Sequence, residues 1–205
     1  MSYHHGDLRR ALVDAALGLI GETGRWDLSL REVARRAGVS HNAPYAHFAD
    51  KGALLAAVGV RVFGNLRAAT TAADAGAGTA AEALVAIGRA YIAFGMANVA
   101  QYRLMSGQGL SVDGRLPEPV REAAEAARGV LREIILRGAR DGSFVLDPED
   151  GEAVQAAVVA AWSLVHGFTL LAIDGLAARE TSVDTAQLTE LVLRRFVTGL
   201  AQGKA

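Results

Sequence analysis

Apolar residues recur along most of this chain at spacings of three and four, the period of one face of an α-helix. Leu8, Leu12, Ala15, Ala16, Leu19 and Ile20 form the first such stripe, and with Asp7 before it and Gly24 after it they predict a helix over about 7–23. Ser29-Leu-Arg-Glu32 has the pattern of a capping box, in which the serine oxygen accepts from the third residue's N–H and the glutamate reaches back. A short helix starts there, with Leu30, Val33, Ala34 and Ala37 on its apolar face. Gly38 follows where a helix end needs a left-handed residue. Val39 plugs the turn and Ser40 is placed to cap a third helix beginning at His41. Asp50 is placed to cap a fourth, whose stripe is Leu54, Leu55, Val58, Val62, Phe63 and Leu66.

After a composition break at 72–79 the helical period returns. Leu84, Ile87, Tyr91, Phe94 and Gly95 share a face, and Tyr102, Leu104 and Met105 follow a break near Asn98. Pro117 and Pro119 open a helix carrying Val120, Ala124, Ala127, Val130, Leu131, Ile134 and Ile135, ending at Asp141-Gly142. Two long helices close the chain, over about 148–175 and 184–202, the last with Leu188, Leu191, Val192, Phe196 and Leu200 as an apolar seam. The stretch 156–173 is eighteen residues whose only clearly polar members are Ser163, His166 and Thr169. That length meets the minimum for a membrane span, but a mid-span ionisable group is costly. A helix buried on all sides at the centre of a helical domain is expected instead, and no membrane partner.

Composition narrows the classes. With 205 residues, 51% hydrophobic, four prolines and no cysteine, disorder, collagen and a disulfide scaffold are excluded, as are thiol catalysis and thiolate metal sites. Abundant alanine favours an all-α fold. The N-terminus has no apolar run, so no signal peptide is expected and the setting is cytoplasmic. Residues 1–67 carry nine Lys/Arg against six Asp/Glu, a net charge of +3, whereas the remainder carries −4. An anion-binding head over 1–67 and a more acidic body over 68–205 is the expected domain organisation. His-Glu-x-x-His, Gly-x-Ser-x-Gly and a phosphate-loop lysine are all missing from the sequence, and Gly76-Ala-Gly78 has no Gly-Lys-Ser/Thr after it. No enzymatic activity, cofactor or metal is expected, since a lone His166 without clustered ligands is not a metal site.

The short helix, tight glycine turn and second short helix make a helix-turn-helix DNA reader. Its third helix presents His41, Asn42, Ala43 and His47, with the Tyr45 hydroxyl outward and Phe48 returning to the core. Lys51 in the first turn of a helix is unfavourable by about 0.3–1 kcal/mol, which points to service of an external anion. Arg9 and Arg10, with Tyr3 and His4, either solvate the first helix or form an arm for the minor groove.

The run Leu30-Arg-Glu-Val-Ala-Arg-Arg-Ala-Gly-Val-Ser-His-Asn-Ala-Pro-Tyr-Ala-His-Phe-Ala-Asp-Lys-Gly-Ala-Leu-Leu55 resembles the N-terminal domain of the TetR family of transcriptional regulators. Tyr3-His-His-Gly-Asp-Leu-Arg9 and Trp162-Ser-Leu-Val-His-Gly167 are similar to a subgroup named for its Trp/His-Gly motif. The resemblance implies phosphate contacts at Ser29, Tyr45, His47 and Lys51 and base-edge contacts at His41, Asn42 and Ala43. Ser40, like Ser29, is a helix cap first and a phosphate donor second. The chemistry agrees, because Asn pairs bidentately with adenine and an Ala methyl meets a thymine methyl. Pro44, Ala46 and Gly52 depart from the family's usual residues.

In the larger domain Tyr91, Phe94, Met96, Tyr102, Met105, Trp162 and His166 offer apolar walls with few polar groups, as a small-molecule cavity has. The last two helices supply the surface for a homodimer's shared four-helix bundle, which the resemblance also implies. The function expected is a homodimeric repressor released from a palindromic operator by a small apolar or amphipathic ligand. The alternatives are a constitutive regulator with a vestigial pocket and a small-molecule sequestering protein.

Overall fold

The computed structural model describes residues 5–111, 114–179 and 183–202. Among them are eight α-helices and no strand: α1 (His5–Thr23), α2 (Leu30–Arg36), α3 (Lys51–Ala75), α4 (Ala80–Ala97), α5 (Val99–Ser106), α6 (Glu118–Arg140), α7 (Gly151–Ile173) and α8 (Thr185–Gln202). The chain forms two compact units, one of Met1–Gly64 with Asn98–Ala124 and one of Asn65–Ala97 with Glu125–Ala205. Helices α3 and α6 each begin in the first unit and end in the second.

In the first unit α1 packs on α2 and on α5. Leu12, Ala16 and Ile20 of α1, Val33 and Ala34 of α2, Val58 and Val62 of α3 and Tyr102 and Leu104 of α5 are all buried. Two ion pairs tie α1 to its neighbours, Asp14–Arg61 at 2.9 Å and Glu22–Arg36. Ser29 caps α2 as its sequence requires, its Oγ accepting from the Glu32 N–H at 3.1 Å. Gly38 takes φ +70°, and the Val39 N–H bonds back to the Ala34 carbonyl at 3.0 Å, closing the turn.

The third helix expected from His41 is instead a 3₁₀ turn over Ala43–Ala46. Pro44 is the cause. It has no N–H to give the Ser40 carbonyl, which accepts from Ala43 at 3.0 Å instead, and the shorter closure makes the tighter helix. Ser40 therefore caps through its backbone, and Asn42 holds the N-cap position without a side-chain bond. Asp50 does cap the next helix, α3, its Oδ1 accepting from Ala53 at 2.8 Å.

In the second unit α4 packs on both α7 and α8. Thr79-Ala-Ala-Glu82 makes a complete capping box at the start of α4. Thr79 Oγ1 accepts from Glu82 at 3.1 Å, and Glu82 Oε2 accepts from Thr79 at 3.0 Å. The core gathers Ile87, Ile134, Ile135, Phe144, Ala157, Ala161 and Leu193. Close approach shapes it: a Cβ at Gly88 would lie 2.5 Å from Leu193 Cδ2, and one at Gly138 only 2.2 Å from the Phe144 ring.

Helix α7 is not buried on all sides. Only 33% of its most apolar window is buried, and Val159, Trp162 and Leu171 are exposed. Mean hydropathy could not reveal this, because it averages over faces. By length and composition α3, α4 and α7 are each apolar enough to cross a membrane. The seam expected on α8 is also displaced: Thr189, Leu193 and Val197 point inward, Leu188, Val192, Phe196 and Leu200 flank them, and Leu191 is exposed.

Two glycines of α6 separate helix propensity from packing. Gly129→Ala, where a Cβ meets nothing within 4 Å, should gain about 0.8–1.0 kcal/mol in urea unfolding. Gly138→Ala must displace the Phe144 ring and should lose about 1–2 kcal/mol despite the same propensity gain. Equal effects at the two sites would contradict this packing.

Candidate nucleic-acid interface and effector residues

The segment between α2 and α3 is held from within by two apolar anchors. Pro44 is buried and Phe48 is 2% exposed, and both the His47 and Phe48 N–H groups bond the Pro44 carbonyl at 2.9 Å. With those anchors seated, the residues around them face outward. Ser40, His41 and Asn42 are exposed, Ala43 and His47 are half-buried, and Tyr45 is 52% exposed. An exposed phenol on an otherwise polar ridge places a hydrogen-bonding hydroxyl where a phosphate oxygen can meet it. Ser29 is exposed at the start of α2. Lys51 is exposed in the first turn of α3 and near enough to Asp27 to help hold that carboxylate ionised, after the larger effect of its hydrogen bond from Arg25.

Arginines of α1 and α2 also bear on this surface, and those of α2 are additional to the candidate contacts named from the sequence. Arg31 and Arg35 are exposed on α2 and form no ion pair among the described residues, whereas Arg36 is paired with Glu22. Their positions on a two-turn helix were legible, but nothing local distinguishes a paired arginine from an unpaired one. Arg9 stacks its guanidinium 5.2 Å from the centroid of the Phe48 ring, so it braces the segment from α1. Tyr3 and His4 lie outside the described residues.

The residues expected to contact an effector fall in both units. Tyr102, fully buried, and Met105, half-buried, belong to the first. Tyr91, Phe94, Trp162 and His166 belong to the second, where Met96 is exposed. Within the second unit the Tyr91 hydroxyl lies 3.3 Å from His166 Nδ1. The Trp162 and His166 rings, one helical turn apart on α7, have centroids 5.7 Å apart. Burial holds the His166 pKa below its ordinary 6.5, so the neutral imidazole is favoured. A separate groove of about 690 Å³ lies between the end of α3, α4 and α8, lined by small residues with Glu82, Arg89 and Arg194 among them, and none of the aromatic residues lines it. On its rim Glu190 is held ionised by Arg89 and then Arg194. Among the described residues no group of His, Asp and Glu is arranged to hold a metal ion.

Comparison with known proteins adds family evidence. Residues 12–58 match the family model of bacterial regulatory proteins of the tetR type, and residues 84–196 match the tetracyclin repressor-like C-terminal domain. The HTH-type transcriptional regulator BetI of Rhizobium meliloti is 40% identical over 79 residues, 38% of this chain and 39% of that protein. The match thus spans about two-fifths of the length of that curated relative. A solved protein of unknown function from Rhodococcus sp. RHA1 is 32% identical, with a TM-score of 0.83, over 98% of this chain and 100% of its own. FadR of Bacillus subtilis, solved in complex with stearoyl-CoA, shares the fold at 18% identity and a TM-score of 0.72, over 93% of this chain and 98% of its own.

The lowered His166 pKa fixes a sign for pH dependence. In the window just below 6.5 the unfolded chain binds a proton that the folded one refuses, so stability is present above that pH and lost as pH falls through the folded value. Between about pH 7.5 and 5 the melting temperature of the parent should therefore fall more than that of His166→Gln. Equal falls would show that His166 titrates as it does in an unfolded chain.

Proposed function

This chain belongs to the TetR family of DNA-binding transcriptional regulators, and from that premise we propose that it is a homodimeric repressor, released from a palindromic operator by a small apolar or amphipathic ligand. Residues 1–67 read DNA, and residues 68–205 bind the effector and the second copy. The observation that carries this is the outward ridge of His41, Asn42 and Tyr45 over buried Pro44 and Phe48, followed by exposed Lys51. Ser29, Ser40, Tyr45, His47 and Lys51 take phosphates and fix the register. His41, Asn42 and Ala43 meet base edges and fix the sequence.

A palindrome is read by two heads, because reading elements about 34–36 Å apart fit successive major grooves. Helix α7 supports self-association: its exposed Ala156, Val159, Ala160 and Ser163 carry no charge and are small enough for close helix approach. Exposed Leu191 adds an apolar side chain on α8. The effector is held by Tyr91, Phe94, Trp162 and His166, and the same role is proposed for Tyr102 and Met105. An amphipathic effector is in keeping with the stearoyl-CoA bound to FadR of Bacillus subtilis. Operator affinity falls by the difference in the ligand's affinity for the two conformations of the dimer. The protein works in the cytoplasm and catalyses no reaction.

Two substitutions separate the two kinds of contact. Lys51→Ala should weaken binding almost uniformly across duplex sequences and reduce the salt slope by about one. Asn42→Ala should relax preference at a single base position, by about 1–3 kcal/mol, measured by competition between operator variants. Unchanged DNA binding in both variants would overturn these assignments.

A further inference from the structure

Among the described residues, one cation of the second unit, Arg128, lies over an aromatic ring. Arg89, Arg137 and Arg194 each hold a carboxylate, of Glu190, Asp74 and Glu190 respectively. Arg128 of α6 is half-buried and, among the described residues, makes no ion pair; its guanidinium carbon lies 5.6 Å from the centroid of the Trp162 ring. Trp162 is itself 36% exposed and sits one helical turn from His166, which reaches Tyr91. Burial strips hydration from the guanidinium, and the face of an indole replaces only part of it. A guanidinium beside a ring still has N–H donors along its edge, and two parallel N–H groups match the two oxygens of a carboxylate.

We propose that Arg128 and Trp162 form the head-group subsite of the effector site, and that the effector is a monoanionic carboxylate with an apolar body: the carboxylate takes the edge of Arg128 and the apolar part lies against Trp162. The proposal rests on the effector reading given above. The head group is a monoanion because, among the described residues, a single guanidinium, that of Arg128, lies against the Trp162 ring. His166, kept neutral by burial, adds no second positive charge at the ordinary working pH. Selectivity for an anion therefore falls on Arg128, while Tyr91 and His166 offer neutral polar contacts that tune which carboxylate is held.

Trp162 supplies its own reporter, because the sequence has two tryptophans and Trp26→Phe leaves its emission alone. The full chain carrying Trp26→Phe is titrated with decanoate and with 1-naphthoate, and with decanol and decylamine as neutral and cationic controls. Calorimetry on the unaltered chain repeats the titrations, so that a folding defect in the variant does not decide the result. The carboxylates should change Trp162 emission saturably, decanol and decylamine should bind at least about tenfold more weakly, and Arg128→Met should lose about tenfold or more while keeping its helical circular dichroism. Arg128→Lys should recover part of the loss. No saturable binding of either carboxylate, equal binding of decanol, or unchanged affinity in Arg128→Met overturns the subsite. Release of operator DNA is measured separately: carboxylate binding that depends on Arg128 without DNA release keeps the subsite and overturns the effector reading.

Discussion

The outward surface of the first unit depends on one backbone event, the end of α2 at Gly38. A residue with φ +70° turns the chain there, and the bond from Val39 back to Ala34 closes the turn. A Cβ at Gly38 would meet nothing within 4 Å, so the constraint is backbone conformation and not space. After that turn Pro44, unable to donate, tightens the next segment, and Pro44 and Phe48 fasten it to the unit. His41, Asn42 and Tyr45 are then presented by default, because the anchors have taken the inward positions. Arg9 over Phe48 and the Glu22–Arg36 pair brace the same frame from α1. The outward surface proposed to read DNA thus follows from how a short turn is closed and seated.

The second unit is built on a different constraint. Gly88 lets α4 approach α8 closely at Leu193, and Gly138 leaves room on α6 for the ring of Phe144 in the segment that follows it. Close packing around α4 satisfies one side of α7 and leaves Ala156, Val159, Ala160 and Ser163 exposed on the other, with Glu152 as the charge in its first turn. A face of that kind is unfavourable in water, which is why self-association belongs in the proposed function. The stack of Arg128 on Trp162 is the other unfinished feature, a cation in partial burial with an aromatic face and no carboxylate among the described residues. Apolar packing thus gives this unit two unsatisfied surfaces, one suited to a second copy and one to an anion.

Much of this was legible locally. Helix limits near Gly24, Asn98 and Asp141, and the caps at Ser29 and Asp50, follow from residue types that act on their own backbone within a few positions. The Thr79–Glu82 box was equally legible, having the same Ser/Thr-x-x-Glu pattern that marked Ser29. What the sequence hid depends on partners far along the chain. Pro44 announced its missing N–H, yet whether the segment would continue as α-helix depended on Ser40 finding a donor at Ala43. Residue types alone run the seam of α8 through Leu191, although Leu193 and Val197 are the side chains buried in the core. Arg128 and Trp162 lie on different helices, and no local pattern links them. For the residues proposed to contact DNA, the positions were legible in the sequence, and the structure adds their exposure around two buried anchors.

Selection of bound fragments from a random duplex pool by the purified chain, at about 0.15 M salt where non-specific affinity is suppressed, tests the central claim most directly. Two heads reading successive major grooves predict enrichment of one two-fold palindrome, its half-sites about one helical turn apart or a multiple of it. Folded protein that enriches no sequence, or enriches a single unrepeated half-site, would contradict the account.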